Sequence, residues 1–174
     1  MRISARRTAL CGLLAAVSVV LLMMGSLIPA ALYMGPILAM AALLPIREEF
    51  GTGSAALTWV AVSLLALLLA ADKELALLYA FFGWYVPLQP LLEKLPRPVS
   101  AAVKLAAANL TAAALYGLLL FVFQMESVVE ELGSLTPLWA AILLLTANCL
   151  FVLTDSLLHR LCRLWHRRFK KLFK

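Results

Sequence analysis

The chain has 174 residues, of which 64% are apolar and 14% charged, and its mean hydropathy is +0.99. A soluble globular domain carries about 45–50% apolar and about 25% charged residues, so this composition excludes a soluble enzyme or binding domain and marks an integral membrane protein. Too little polar sequence separates the apolar runs for an additional soluble domain of ordinary size. The expected fold class is all-α: a polytopic helical bundle over 1–158 followed by a short tail over 159–174.

A membrane span takes roughly 17–25 mostly apolar residues, because about 30 Å of hydrocarbon is crossed at about 1.5 Å per residue. Six can be drawn in chain order, at approximately 8–27, 29–45, 54–71, 75–92, 99–124 and 137–158. Gly25-Ser26 with Pro29 marks the first break, and Arg47-Glu48-Glu49 with Gly51 and Gly53 the second. Asp72-Lys73-Glu74 marks the third, Pro96-Arg97-Pro98 the fourth, and the stretch from Glu126 to Pro137 the fifth. Proline, glycine and adjacent charges are the usual punctuation of such runs. The first break holds no charge, so a re-entrant element or one bent long helix is the alternative there.

Orientation follows from Lys and Arg near the span ends, which resist translocation more than acids do. With the N-terminus cytoplasmic, the inner face collects Arg2, Arg6, Arg7, Arg47, Lys94 and Arg97 together with the basic tail, and the outer face keeps only Lys73. Asp72, Glu74, Glu126, Glu130 and Glu131 make that outer face acidic. An even number of spans returns both basic termini to the cytoplasmic side, as six does. The net charge of +6 then belongs to the inner membrane surface, and no nucleic-acid-binding motif accompanies it.

The N-terminal run has the positive start of a secretory signal. It lacks an evident small-residue cleavage site, and its removal would put the basic tail outside, so it is read as the first span. Arg6-Arg7 is explained by positive-inside anchoring rather than by a twin-arginine signal, and Cys11 precedes the apolar run and does not fit a lipidation site. With Cys149 and Cys162 it implies no disulfide framework.

In the tail, His159, Cys162 and His166 recur at spacings of three and four and could share a face as soft metal ligands. The same spacing groups Leu158, Leu161, Cys162, Trp165, Phe169 and Leu172 against Arg163, Arg167, Lys170, Lys171 and Lys174. That is the pattern of a basic amphipathic helix lying in the inner interface on anionic lipid, and it is preferred to a metal site.

No nucleophile elbow, HExxH, P-loop, dinucleotide fingerprint or aspartate-rich phosphotransferase signature occurs. Neither catalytic residues nor a cofactor are expected. Asp155 is the one acid clearly inside an expected span, about 6 Å from its inner end; pairing with His159 one turn on, or snorkelling to the interface, accounts for it. Lys104 is read in the same way. Asn109 and Asn148 each lie about 15 Å above the inner ends of their spans, at matched depth. Unpaired amides are costly in hydrocarbon, so the two are expected to bond each other or backbone, at on the order of 0.6 kcal/mol.

Ala9, Gly12 and Ala16 form a small-residue stripe on the first span, which would let another helix approach closely; packing inside the bundle explains it equally. Asp72, Lys73 and Glu74 occupy a short turn at the outer face, and the helix after them is aromatic, with Tyr79, Phe81, Phe82, Trp84 and Tyr85. A solvated turn is one reading. The other is the mouth of an aromatic-lined crevice for an amphipathic small molecule, which needs stacking area and a few oriented polar contacts.

Six short spans, both basic ends inside, the stripe on the first helix and the stretch DKELALLYAFFGWYVPLQP resemble the substrate-binding S components of energy-coupling factor (ECF) transporters, over approximately residues 8–160. The resemblance implies a subunit of the bacterial cytoplasmic membrane that binds a vitamin-like micronutrient from outside. It implies release inside with a transmembrane coupling protein and two cytoplasmic ATPases. It would assign Ala9, Gly12 and Ala16 to docking on the coupling protein. Asp72, Lys73, Glu74 and Tyr79 would lie at the pocket mouth, with Tyr33 and Tyr116 as further substrate contacts. Gly12 stands where the family usually has alanine, position 13 is Leu, and the long basic tail is not a general family feature. Having no Walker motif, the chain would not hydrolyse ATP itself. The competing expectation is a membrane scaffold or assembly factor that recruits a cytoplasmic partner through its tail.

Overall fold

A computed structural model describes residues 2–27, 34–70, 72–121 and 137–165. Helix makes up 93% of the structure, with no strand among the described residues. In chain order the helices are α1 (Arg2–Leu27), α2 (Met34–Phe50), α3 (Thr52–Leu69), α4 (Lys73–Phe82), α5 (Tyr85–Leu92), α6 (Arg97–Phe121) and α7 (Pro137–Leu164).

Five described stretches are long and apolar enough to cross a membrane: Ala5–Gly25, Thr52–Leu69, Lys73–Leu92, Arg97–Leu118 and Ala141–Leu164. The span expected over 29–45 corresponds to α2, which has 17 residues and carries Arg47, Glu48 and Glu49 in its last turn. Helix therefore includes the three charges of the expected break and ends before its first glycine. The stop is Gly51, whose φ of 84° is open to glycine and strained for other residues. This single residue joins α2 to α3, and its N–H bonds the Arg47 carbonyl at 2.9 Å. Helix also continues without a break through 158, where the tail was expected to begin; residues 166–174, with His166, Phe169, Leu172, Arg167, Lys170, Lys171 and Lys174, lie outside the described residues.

The chain divides into two compact units, residues 1–91 with 157–174, and residues 92–156. In the first, Ala39, Leu43 and Ile46 of α2 are fully buried, at the i, i+4, i+7 spacing of one helical face. Across from them Ser18 of α1 donates to its own helix at Leu14 O (2.8 Å) and reaches Ala39 O of α2 at 3.4 Å. On α3 the polarity is inverted relative to a soluble helix. Ser54, Thr58 and Ser63 are buried, each hydroxyl returned to the carbonyl four residues back, whereas Leu57, Leu64 and Leu68 are 69%, 59% and 79% exposed. Such a helix is at home in lipid, where outward leucine costs nothing and polar groups must be satisfied internally.

The expected fourth span is two helices, α4 and α5, parted at Gly83-Trp84. Pro87 lacks the N–H that would bond Gly83 O, and Val86 N takes that carbonyl from three residues on, at 3.3 Å. The break thus falls one turn before the proline that causes it.

In the second unit, α6 and α7 face each other through two polar pairs. Asn109 and Asn148 exchange hydrogen bonds at 3.0 and 3.2 Å, as their matched depth led us to expect. Nearer the Arg97 end of α6, Lys104 Nζ lies 3.2 Å from both carboxylate oxygens of Asp155. The two charges that were read separately, as locally paired or snorkelling groups, form one ion pair.

Candidate functional site

The Asp72-Lys73-Glu74 turn is built as a joint between helices. Asp72 is the N-cap of α4 and its carboxylate accepts from the Glu74 N–H at 3.0 Å, the usual way to satisfy one of the open donors at a helix start. Lys73 reaches back to donate to Leu67 O (2.8 Å) and Ala70 O (2.9 Å), and so covers the open carbonyls at the end of α3. Acid and base side by side therefore follow from two helix ends of opposite polarity meeting within four residues.

Tyr79 lies about 9 Å into α4 from this joint. It is completely buried, and its hydroxyl has no hydrogen-bond partner among the described residues. A second such donor is the buried indole N–H of Trp59 on α3. Trp59 is about 15 Å from the Leu69 end of its helix, a depth matched on α4 by Gly83. There the indole lies directly on the backbone: a Cβ at Gly83 would stand 2.5 Å from Trp59 Cδ1 and 2.7 Å from Nε1. Glycine at 83 is what lets the ring seat between the helices. Each unpaired donor costs about 1–3 kcal/mol in desolvation. Two of them on neighbouring helices, at span depth and one helical turn apart along α4, are therefore a departure from ordinary packing that favours function.

Of the other residues expected to bind substrate, Tyr33 lies outside the described residues. Tyr116 belongs to α6 in the second unit and is about half exposed. Ala9, Gly12 and Ala16 share an exposed face of α1, and a Cβ at Gly12 would meet nothing within 4 Å. The stripe is open rather than used for packing in its own unit.

A third polar group had no role in the sequence reading beyond charge counting. Arg47 is buried, with 5% of its side chain exposed, and all five of its N–H bonds are directed at acceptors. Nε and Nη2 donate to Glu48 Oε1 at 3.0 and 2.8 Å. Nη1 donates to Val86 O at 2.9 Å and to Gln89 Oε1 at 2.7 Å, and Nη2 also lies 3.7 Å from Cys162 Sγ. Gln89 Nε2 continues to His159 Nδ1 at 3.1 Å, and Trp165 Nε1 donates to Glu49 Oε1 at 3.3 Å. With its donors fully engaged, Arg47 is a clasp joining α2, α5 and the 157–165 segment. It has no donor left for an anion. The warning in the sequence was Gln89, an amide between Pro87 and Pro90 in an otherwise apolar helix. No group of three or more His, Cys, Asp or Glu able to hold a metal occurs among the described residues.

No protein-family description, curated protein or solved structure matches this chain.

Proposed function

We propose that this chain is the membrane-embedded small-molecule-binding subunit of an ECF-type uptake transporter. In this reading six spans place both termini in the cytoplasm of a bacterium, and a vitamin-like micronutrient enters from the outer face. A transmembrane coupling protein and two ATPases complete the system, docking along Ala9, Gly12 and Ala16, while the tail rests on anionic lipid. The observation that supports binding best is the pair of buried, unpartnered donors, Tyr79 Oη and Trp59 Nε1. Lipid offers them no acceptor, and a ligand with carbonyl or ring-nitrogen acceptors would. Aromatic surface from Trp59 and Tyr79, with neutral donors rather than charges on both rings, suits a flat, uncharged ligand.

The test is purification from the native membrane followed by mass spectrometry of whatever small molecule is retained, and by identification of co-purifying subunits. Retention should drop about tenfold or more on Tyr79→Phe, the equivalent of about 1.4 kcal/mol. A coupling subunit and its ATPases should come down with the wild type. Recovery of a cytoplasmic partner with neither ligand nor ATPases would instead identify a scaffold.

A further inference from the structure

The Arg47 clasp fixes a proton. Arginine is a donor only, so the Gln89 oxygen must face Arg47 Nη1 at 2.7 Å, which turns the Gln89 NH2 toward His159 Nδ1 at 3.1 Å. An NH2 group donates and does not accept. His159 must therefore accept at Nδ1, and an imidazole can do so only when that nitrogen carries no proton. The amide cannot flip to suit a protonated ring, because flipping would set its NH2 against the guanidinium. From this chain of fixed donors and acceptors we infer that the Arg47–Gln89–His159 relay is a proton-operated latch: neutral His159 holds the 157–165 segment on α2 and α5, and protonation releases it.

Arg47 stands on the far side of the Gln89 amide, with Glu48 of α2 as its ion-pair partner. Glu49 is engaged by Trp165. The one titratable residue of α5 is Tyr85, and the segment itself carries Cys162, which lies against Arg47, with Arg160 and Arg163 exposed. Asp155, four residues earlier, is held by Lys104. The latch is closed while Nδ1 of His159 carries no proton and open once that nitrogen is protonated. This inference rests on the clasp alone and is independent of the binding role proposed for Tyr79 and Trp59.

The test is a distance measurement on the full chain in lipid nanodiscs, where both faces meet the same buffer. Cys11, Cys149 and Cys162 are replaced by serine, whose hydroxyl keeps an acceptor for Arg47, and nitroxides are placed through Thr52→Cys and Leu164→Cys, both exposed positions of the same unit. Pulsed electron resonance should give one narrow distance at pH 8 and a distribution broadened by about 5 Å, one helical turn, at pH 5. His159→Asn puts an amide oxygen where Nδ1 stood and cannot be protonated there, and it should stay narrow at both. An unchanged distribution for the unsubstituted His159 protein between pH 8 and pH 5 overturns the latch. So does equal broadening in the His159→Asn protein.

Discussion

Arg47 donates at 2.9 Å to the carbonyl of Val86, 39 residues later in the chain. That carbonyl is open because Pro90, four residues after it, has no N–H to complete the helix. A proline defect in α5 thus creates the acceptor that a buried guanidinium on α2 needs, and burial of either is offset by the other. The remaining four donors of Arg47 go to Glu48, Gln89 and Cys162.

Removing the guanidinium should be costly, and the cost should depend on Pro90. Arg47→Met removes the guanidinium donors from Val86 O, Gln89 Oε1 and Glu48 Oε1, and a loss of about 3–5 kcal/mol is expected for breaking one side of a buried pair. In a Pro90→Ala background the backbone N–H restored at that position can bond Val86 O, so the same substitution should cost about 1 kcal/mol less. Unfolding of the four proteins in mixed lipid–detergent micelles measures that coupling directly.

How far all this was legible in the sequence depends on the range of the interaction concerned. Composition and apolar run length identify a helical membrane protein because they are properties of each segment alone. The Asn109–Asn148 pair was legible because depth in a bilayer is a coordinate shared by all spans, so two amides at one depth can be matched without knowing the fold. Arg47 was not, since its acceptors belong to α5 and to the segment after 157, and no periodicity links them to residue 47. The end of α2 falls within the break read at 47–53: the charges at 47–49 stay helical, and the backbone of Gly51 ends the helix. Tyr79 attracted notice through the charges beside it. Trp59 did not, because an aromatic ring among leucines and alanines carries no mark until a glycine on the neighbouring helix shows where the indole sits.

The Lys104–Asp155 pair should behave as two halves of one neutral unit. Lys104→Met leaves the carboxylate, and Asp155→Leu the ammonium, without its ion-pair partner. Each alone should cost about 2–3 kcal/mol, somewhat under the figure for a fully buried pair because the Asp155 side chain keeps 23% of its surface. The double variant should recover most of that loss. A double variant as unstable as the sum of the singles would show that the two charges act separately after all.

At the α3–α4 joint, charge and capping can be separated by one atom. Asp72→Asn retains an oxygen able to accept from the Glu74 N–H, now 3.0 Å away, whereas Asp72→Ala does not. Loss of the cap should lower stability by about 1 kcal/mol in the alanine variant and leave the asparagine variant near wild type. If substrate retention falls in both variants alike while only the alanine variant is destabilised, the carboxylate charge also serves the ligand at the pocket mouth. Retention that follows stability assigns Asp72 to capping alone.

Tyr79 gives the sharpest separation of structure from function, because the two demand opposite signs. A tyrosine that serves packing alone should tolerate loss of its hydroxyl without penalty. With no partner for Oη among the described residues, Tyr79→Phe removes a buried polar group at the cost of no visible bond. The ligand-free protein should therefore gain about 1 kcal/mol, the lower end of the penalty for an unsatisfied donor. If Tyr79 also binds substrate, the same variant should lose most of the rise in unfolding temperature that the retained small molecule confers, since a ligand stabilises in proportion to the logarithm of its concentration over its Kd. A variant more stable when empty and less responsive when loaded identifies a binding residue. Destabilisation of the empty protein would mean instead that the hydroxyl has a structural partner, and the ligand role of this tyrosine would fall with it.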